Sequence, residues 1–425
     1  MPPKTLTDVY SLREKAPTLD ADDRGAKCEH YLSCFDVQAV SPSVRSSDAG
    51  YLADPFRYYL SRRLGLSSIT EHSEPLNIGS FVHKCFEYWI DEPTTWNNRY
   101  ERYIEDEAEL RSELQGGVPG GDWGEYVRKD GLTARAVFEA AMDTPVPHID
   151  FRDHPWTIRK FLSLDHWRTV CNERTFRYYN EDIKHTCVVQ FDVLKYTPST
   201  NELWVIDFKT SGETVFDKSR NLTFDFQTKH YLYALRHLVE SGYLSEHFDV
   251  PADAKVGGII HVLIQRPAIR MSNEDRDYEE VERKKWAGTK REQTVTEMQP
   301  VGEPLFANYL ARVHEWYTGT GRYETDALRV AREPRVHRSV IRSSILTDDD
   351  YEEYTKTARL IADMAKREPY PANFPRISAV NWKKSYPLLD LYTMPVVDWP
   401  EWIVRHNITQ SHRNPEPATM NTTTL

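Results

Sequence analysis

The segment Leu203-Trp204-Val205-Ile206-Asp207-Phe208-Lys209 sets a carboxylate at the end of four consecutive apolar residues. An acid is unusual there, because a buried carboxylate needs a partner or a metal. The preceding segment repeats the arrangement: Asp192 follows Val188 and Val189 and precedes Val193 and Leu194. Between the two, Pro198-Ser199-Thr200-Asn201 is turn-forming sequence, so they read as successive antiparallel strands. If that hairpin is symmetric about the Ser199–Thr200 bond, residues 192 and 207 are direct cross-strand partners, with Cβ atoms about 4.5–5.5 Å apart. Asp207 and Lys209, two residues apart on one strand, share a face. Two carboxylates and a lysine then converge on one patch of sheet.

Two ionised carboxylates at that separation repel each other. A divalent cation removes the repulsion, and hard oxygen ligands suit Mg²⁺ or Mn²⁺. Such a cation polarises a scissile phosphate and lowers the pKa of an attacking water. Lys209 then orients or deprotonates that water, or stabilises the developing charge. This is the logic of phosphodiester hydrolysis. A surface strand with a solvated Asp and Lys has the same spacing; the apolar flanks of Asp192 and Asp207 favour a site.

Around this hairpin the chain divides as follows. Residues 1–50, polar with scattered Pro, Asp and Ser, read as an N-terminal arm. Residues 51–405 read as one domain, and 406–425 as a polar, disordered tail. A helix follows Pro55, and a second is expected to begin near Gly79, where Phe81, Cys85 and Trp89 recur at i, i+4, i+8. Residues 93–165 are charged and contain GGVPGGDWG, and they read as a helical insertion. WRTVCNERTFRYY, HTCVVQFDVLKY and ELWVIDFKT are three strands of an antiparallel meander. TFDFQTKHYLYALRHLVE is an amphipathic helix and VGGIIHVLIQ a buried strand. Residues 272–300 are highly charged and read as a solvated loop or hairpin. Helices follow around 303–318 and 347–367, the latter capped by Thr347.

Read in order, the motifs resemble those of the PD-(D/E)XK nucleases, specifically the RecB-like exonuclease branch. Gly79 and His83 stand in GSFVHKCFE, Asp192 in VVQFDVL, Asp207-Phe208-Lys209 in WVIDFKT, and Gln227 with Tyr231 in FQTKHYLYAL. The resemblance covers about residues 41–265 and part of the C-terminal region, with 93–165 outside it. It implies an α/β fold with a restriction-endonuclease-like core, a central mixed sheet flanked by helices. It also implies that His83, as a neutral imidazole, joins Asp192 and Asp207 in holding the metal, with Lys209 catalytic beside the two acids. Gln227 and Tyr231, at i, i+4, share a helix face, which the resemblance implies borders the site and helps bind DNA. Glu87, one turn beyond His83, supports that histidine or is a helix-surface charge. Glu173, on the preceding strand, could support the site but reads first as an ordinary strand residue.

The departures from the pattern are specific. Gln190 stands where the branch usually has a glycine, two residues before the first metal aspartate. Many relatives hold an iron–sulfur cluster, but Asp54, Tyr386 and Tyr392 occupy positions where its cysteines would fall, and no cysteine follows Cys187. No iron–sulfur cluster is therefore expected.

The implied activity is metal-dependent hydrolysis of DNA, exonucleolytic, in recombination, repair or replication, on single strands or duplex ends. A helicase or recombination partner belongs to the same expectation, and a phage origin is compatible with it. The rival reading is a nuclease-fold protein that binds DNA or a helicase without cutting; a third is an adaptor held in a larger complex. The chain has 54 basic and 65 acidic residues, a net charge of −11, which argues against a protein that coats nucleic acid. Local basic groups are Lys218 with Arg220, the run from Arg283 to Arg291, and Arg329 to Arg342. The five cysteines form no CxxC pair, which fits a reducing, cytoplasmic compartment. No signal peptide or membrane span is expected.

Overall fold

The computed structural model describes residues 43–68, 74–115, 122–146, 156–164, 166–222, 225–287, 291–323, 338–345, 347–367, 388, 391 and 408–410. Expectations for Cys28, Cys34, the glycine-rich stretch within 116–121, Lys290, Arg329, Tyr386 and Tyr392 lie outside them. After a helical segment over Pro55–Arg63, the elements in chain order are β1 (Leu66–Ser68), α1 (Glu74–Asp91), α2 (Trp96–Gln115) and α3 (Trp123–Asp143). Then come β2 (Arg168–Asn180), β3 (His185–Thr197), β4 (Glu202–Ser211), α4 (Val215–Leu222), α5 (Phe226–Glu240) and β5 (Lys255–Gln265). The remainder are β6 (Asp277–Ala287), β7 (Arg291–Val301), α6 (Phe306–Thr318), β8 (Ser339–Ser344), α7 (Asp348–Lys366) and β9 (Ile408–Gln410).

A mixed five-stranded sheet in the order β8-β5-β4-β3-β2 forms the centre. β4 and β5 are parallel, joined by the α4–α5 crossover, and the other neighbours are antiparallel. This is the expected α/β architecture of a central mixed sheet flanked by helices. On one face Val193, Ile206, Phe208, Ile260 and Val262 pack in a single core with α1, α2, α3 and α6. On the other, Phe191, Leu194, Val205 and Ile259 pack with α5 and α7. The helices between 96 and 143 share their core with α1 and the sheet, so they press α1 against β4. Phe86 of α1 stacks on Phe208 of β4 with ring centroids 3.8 Å apart.

Three boundaries differ from expectation. α1 begins at Glu74, five residues before Gly79; Pro75 sits in its first turn, where a missing N–H leaves no helical bond unmade. Gly79 is instead a point of contact: a Cβ there would lie 3.1 Å from the Thr210 hydroxyl of β4. At the ends of the domain, Ile408–Gln410 pairs antiparallel with Leu66–Ser68, so part of the polar tail is built into a small sheet. Val44, near the end of the arm, trades two backbone hydrogen bonds with β3, to Thr186 and from Val188, each 2.9 Å.

Residues 277–301 form a two-stranded hairpin separate from the central sheet. α7 starts as its capping sequence requires: Thr347 accepts from the Asp350 N–H and Asp350 accepts from the Thr347 N–H. Asp54, where a cluster cysteine is expected in relatives, accepts from the Arg57 N–H and caps the Pro55 helix.

Candidate active site

The site lies where β3 and β4 part. Their ladder runs from Thr197↔Glu202 to Val193↔Ile206, the register that places 192 opposite 207. One step further the backbone pairing stops. There Asp192 Oδ2 accepts the Phe208 N–H at 2.9 Å, so a side chain replaces a main-chain acceptor and the strands separate.

Sequence alternation breaks at the same row. On β3, Cys187, Val189 and Phe191 face the α5 layer, but beyond Asp192 it is Leu194 and Tyr196 that do so. β2 changes phase likewise: Cys171 lies against the α5 core, as do Phe176 and Tyr178, while Asn172 reaches the other way to the Glu87 carbonyl, 2.9 Å. The change falls on Glu173, which has φ +46°. For a non-glycine residue that conformation costs about 1–3 kcal/mol, and such strain concentrates at functional sites. Glu173 and Asp192 therefore stand at a transition between faces, clear of both hydrophobic cores.

Three potential metal ligands meet here. His83, Glu173 and Asp192 each offer an atom, and the three atoms lie within 4.8 Å of one another. His83 Nδ1 is 3.5 Å from Asp192 Oδ2. One imidazole and two carboxylates make a donor set suited to Mn²⁺ or Mg²⁺. The electrostatics fit a cation too. Burial pushes the Glu173 carboxyl up to about 7, and the charge of Asp192 adds to the rise. Burial also raises Asp192, with His83 opposing and Asp207 reinforcing the shift.

Asp207 is in the opposite state. Burial would raise its carboxyl, but Lys209 and His261 outweigh it and hold it well below the usual range. Its Oδ1 accepts from Lys209 Nζ and its Oδ2 pairs with His261 Nδ1, both at 2.9 Å. For Lys209 burial works downward, and the carboxylates of Asp207 and Asp192 more than compensate, so it stays an ammonium. Lys209 Nζ also donates to Gln227 Oε1 at 2.7 Å, and Gln227 Nε2 donates to the Tyr231 hydroxyl at 2.7 Å. Asp225 fixes this end of α5 by accepting the Gln227 N–H at 3.1 Å.

The structure thus brings His83, Asp192, Asp207, Lys209, Gln227 and Tyr231 together. Glu87 is placed differently, in an ion pair with Lys84. His261 is missing from the residues the sequence singles out, and Glu173 is there only as a secondary possibility. Glu173 has no apolar flank to mark it; the β2–β3 pairing, with Asn172↔Val193 and Arg174↔Phe191 on either side, sets it opposite Asp192. His261 did carry a signal: it interrupts the apolar run Ile259-Ile260-His261-Val262-Leu263 as Asp207 interrupts its own. Gln190, the residue in place of the usual glycine, donates to Glu173 Oε2 at 2.6 Å.

A family model described as the PD-(D/E)XK nuclease superfamily matches residues 46–373. Every residue of the site falls within that span. No curated protein matches the chain.

Proposed function

The chain belongs to the PD-(D/E)XK nuclease superfamily, and we propose that it is a metal-dependent DNA exonuclease of the RecB-like branch, serving recombination, repair or replication. One observation carries the reading: a three-donor cluster of His83, Glu173 and Asp192 beside the buried Asp207 and its half-buried partner Lys209. His83, Asp192 and Glu173, with Asp207 adjoining, are the residues that would hold Mg²⁺ or Mn²⁺. When bound, the cation supplies Lewis-acid polarisation of the scissile phosphate and a more acidic water. Lys209, as an ammonium, donates to an attacking water or to a phosphate oxygen and stabilises charge there. Gln227 holds Lys209 in place, and Tyr231 holds Gln227.

The RecB-like assignment is supported by His83 on a helix that touches β4 through Gly79, and by the Gln227–Tyr231 pair joined to Lys209. DNA as the substrate is supported by Arg283, Lys284, Lys285 and Arg291, which the β6–β7 register gathers at one end of that hairpin. That hairpin follows the C-terminal end of β5, the sheet edge toward which Lys209 lies on the parallel strand β4. In parallel sheets that edge is where ligands bind.

The test is cleavage of end-labelled linear DNA, single- and double-stranded, and of circular DNA, with Mg²⁺, with Mn²⁺ and with EDTA. Degradation of linear DNA only, abolished by EDTA, is expected. Cleavage of closed circles would remove the exonuclease assignment. Folded protein that cuts nothing with either metal would overturn the nuclease reading.

A further inference from the structure

His261 lies on β5 as the direct partner of Asp207 in the parallel ladder. It is 1% exposed, so its ring nitrogens must be satisfied inside the protein. Asp207 Oδ2, on a carboxylate held ionised, can only accept, so Nδ1 carries the hydrogen of their 2.9 Å contact. Nε2 lies 3.3 Å from the Thr228 hydroxyl of α5. Thr228 follows Gln227, which accepts from Lys209, and Lys209 returns to the other oxygen of Asp207. The contacts close into a ring: Asp207, His261, Thr228, Gln227, Lys209 and back to Asp207. Both oxygens of Asp207 are thereby tied to the first turn of one helix.

We propose that His261 is a positioning residue for metal capture. It holds the Asp207 carboxylate by one oxygen and leaves the other to Lys209 and the incoming cation. Its bond to Thr228 sets the ring. The inference rests on the metal-nuclease reading and adds to it a residue outside the D-x-K strand. A carboxylate free to rotate would have to be ordered when the cation binds; one already fixed does not. Groups that orient metal ligands in this way are typically worth about 10–100-fold in metal affinity.

The experiment is calorimetric titration of the full chain with Mn²⁺, without DNA, beside thermal melts. Failure of the wild type to bind Mn²⁺ would sink the metal-site reading itself, whereas the inference about His261 stands or falls on the variants. His261→Leu keeps bulk and loses both bonds, and is expected to bind Mn²⁺ about 10–100-fold more weakly. His261→Asn, whose amide nitrogen can stand near Nδ1, should recover most of that affinity. Thr228→Val frees only the ring and should give a smaller loss. Wild-type affinity in folded His261→Leu overturns the proposal, as does a His261→Asn variant that folds but binds no better than His261→Leu. Should His261→Leu not fold, wild-type affinity in Thr228→Val overturns it instead.

Discussion

At the scale of single residues, the site sets two acids in opposite states. Asp207 is charged because Lys209 and His261 outweigh its burial, whereas Glu173 is raised to about 7 by burial and by the charge of Asp192. Asp207→Asn and Lys209→Ala are therefore expected to abolish cleavage, by at least about 100-fold, since each removes charge where it develops in the transition state. Circular dichroism should show both variants folded; wild-type turnover by either would remove the proposed site. Glu173→Gln separates stability from function. A carboxyl whose folded pKa is about 7, against 4.5 in the unfolded chain, binds more protons when folded. Its presence thus lowers stability as pH rises from 4.5 to 7. In metal-free protein at pH 8, Glu173→Gln should melt higher, by the equivalent of about 1–3 kcal/mol. The same variant should lose most of the stabilisation that Mn²⁺ gives the wild type. A lower melting temperature, or an undiminished Mn²⁺ effect, would show that Glu173 is not a strained ligand. His83→Ala, at the edge of the cluster, should raise the metal concentration needed for half-maximal activity. A titration curve superimposable on the wild type's would move His83 out of the site and weaken the RecB-like assignment with it.

At the scale of elements, α5 carries the most. Its first turn delivers Gln227 and Thr228 to the site. One turn on, His230 bridges two neighbours, the Val188 carbonyl of β3 at 2.9 Å and the Tyr354 hydroxyl of α7 at 3.0 Å. Burial pushes His230 down to about 4, so it is neutral in the folded chain at neutral pH. The sign follows: between about 6.5 and 4 the unfolded chain takes up a proton that the folded chain refuses. Stability contributed by the neutral ring is complete above that window and is lost as pH falls through it, by up to about 3 kcal/mol. His230→Phe should lower stability at pH 7 by about 1–2 kcal/mol, through the lost bonds. It should also flatten the fall between pH 6.5 and 4. Denaturant unfolding at a series of pH values reads both effects, and an acid limb as steep as the wild type's would refute the assignment.

At the scale of the whole molecule, a chain of net charge −11 must bind a polyanion through local charge. The β6–β7 hairpin is the place to look, since a lone two-stranded ribbon gains little stability by itself and its far end gathers lysine and arginine. Lys284→Glu with Lys285→Glu is expected to weaken binding to a labelled oligonucleotide by about 10-fold at 0.1 M salt. The slope of log affinity against log salt should fall by about 1–2. Hydrolysis of a small phosphodiester ester should be unaffected, because the hairpin is not part of the catalytic row. Unchanged affinity and slope would place the DNA elsewhere.

Legibility from sequence followed the reach of each interaction. Asp192, Asp207 and Lys209 could be found because strand period and a four-residue turn are local, and the turn's midpoint fixed their register. Gln227 with Tyr231 and the Thr347 cap were legible for the same reason, being set by spacing along one helix. The start of α1 was misplaced because Gly79 reads as a helix boundary, while its actual task is to let α1 approach Thr210, a contact across 131 positions of chain. Glu173 and His261 depended on the sheet. The β2–β3 hairpin sets Glu173 opposite Asp192, but with a left-handed φ that no periodicity encodes, and only the parallel ladder of β4 with β5 puts His261 beside Asp207. The sequence by itself determined the hairpin, its two acids and its lysine. Tertiary structure decided which donors share a cation and which acid is neutralised, because His83 and His261 come from a helix and a strand that are neighbours of the hairpin in space and remote from it in the chain.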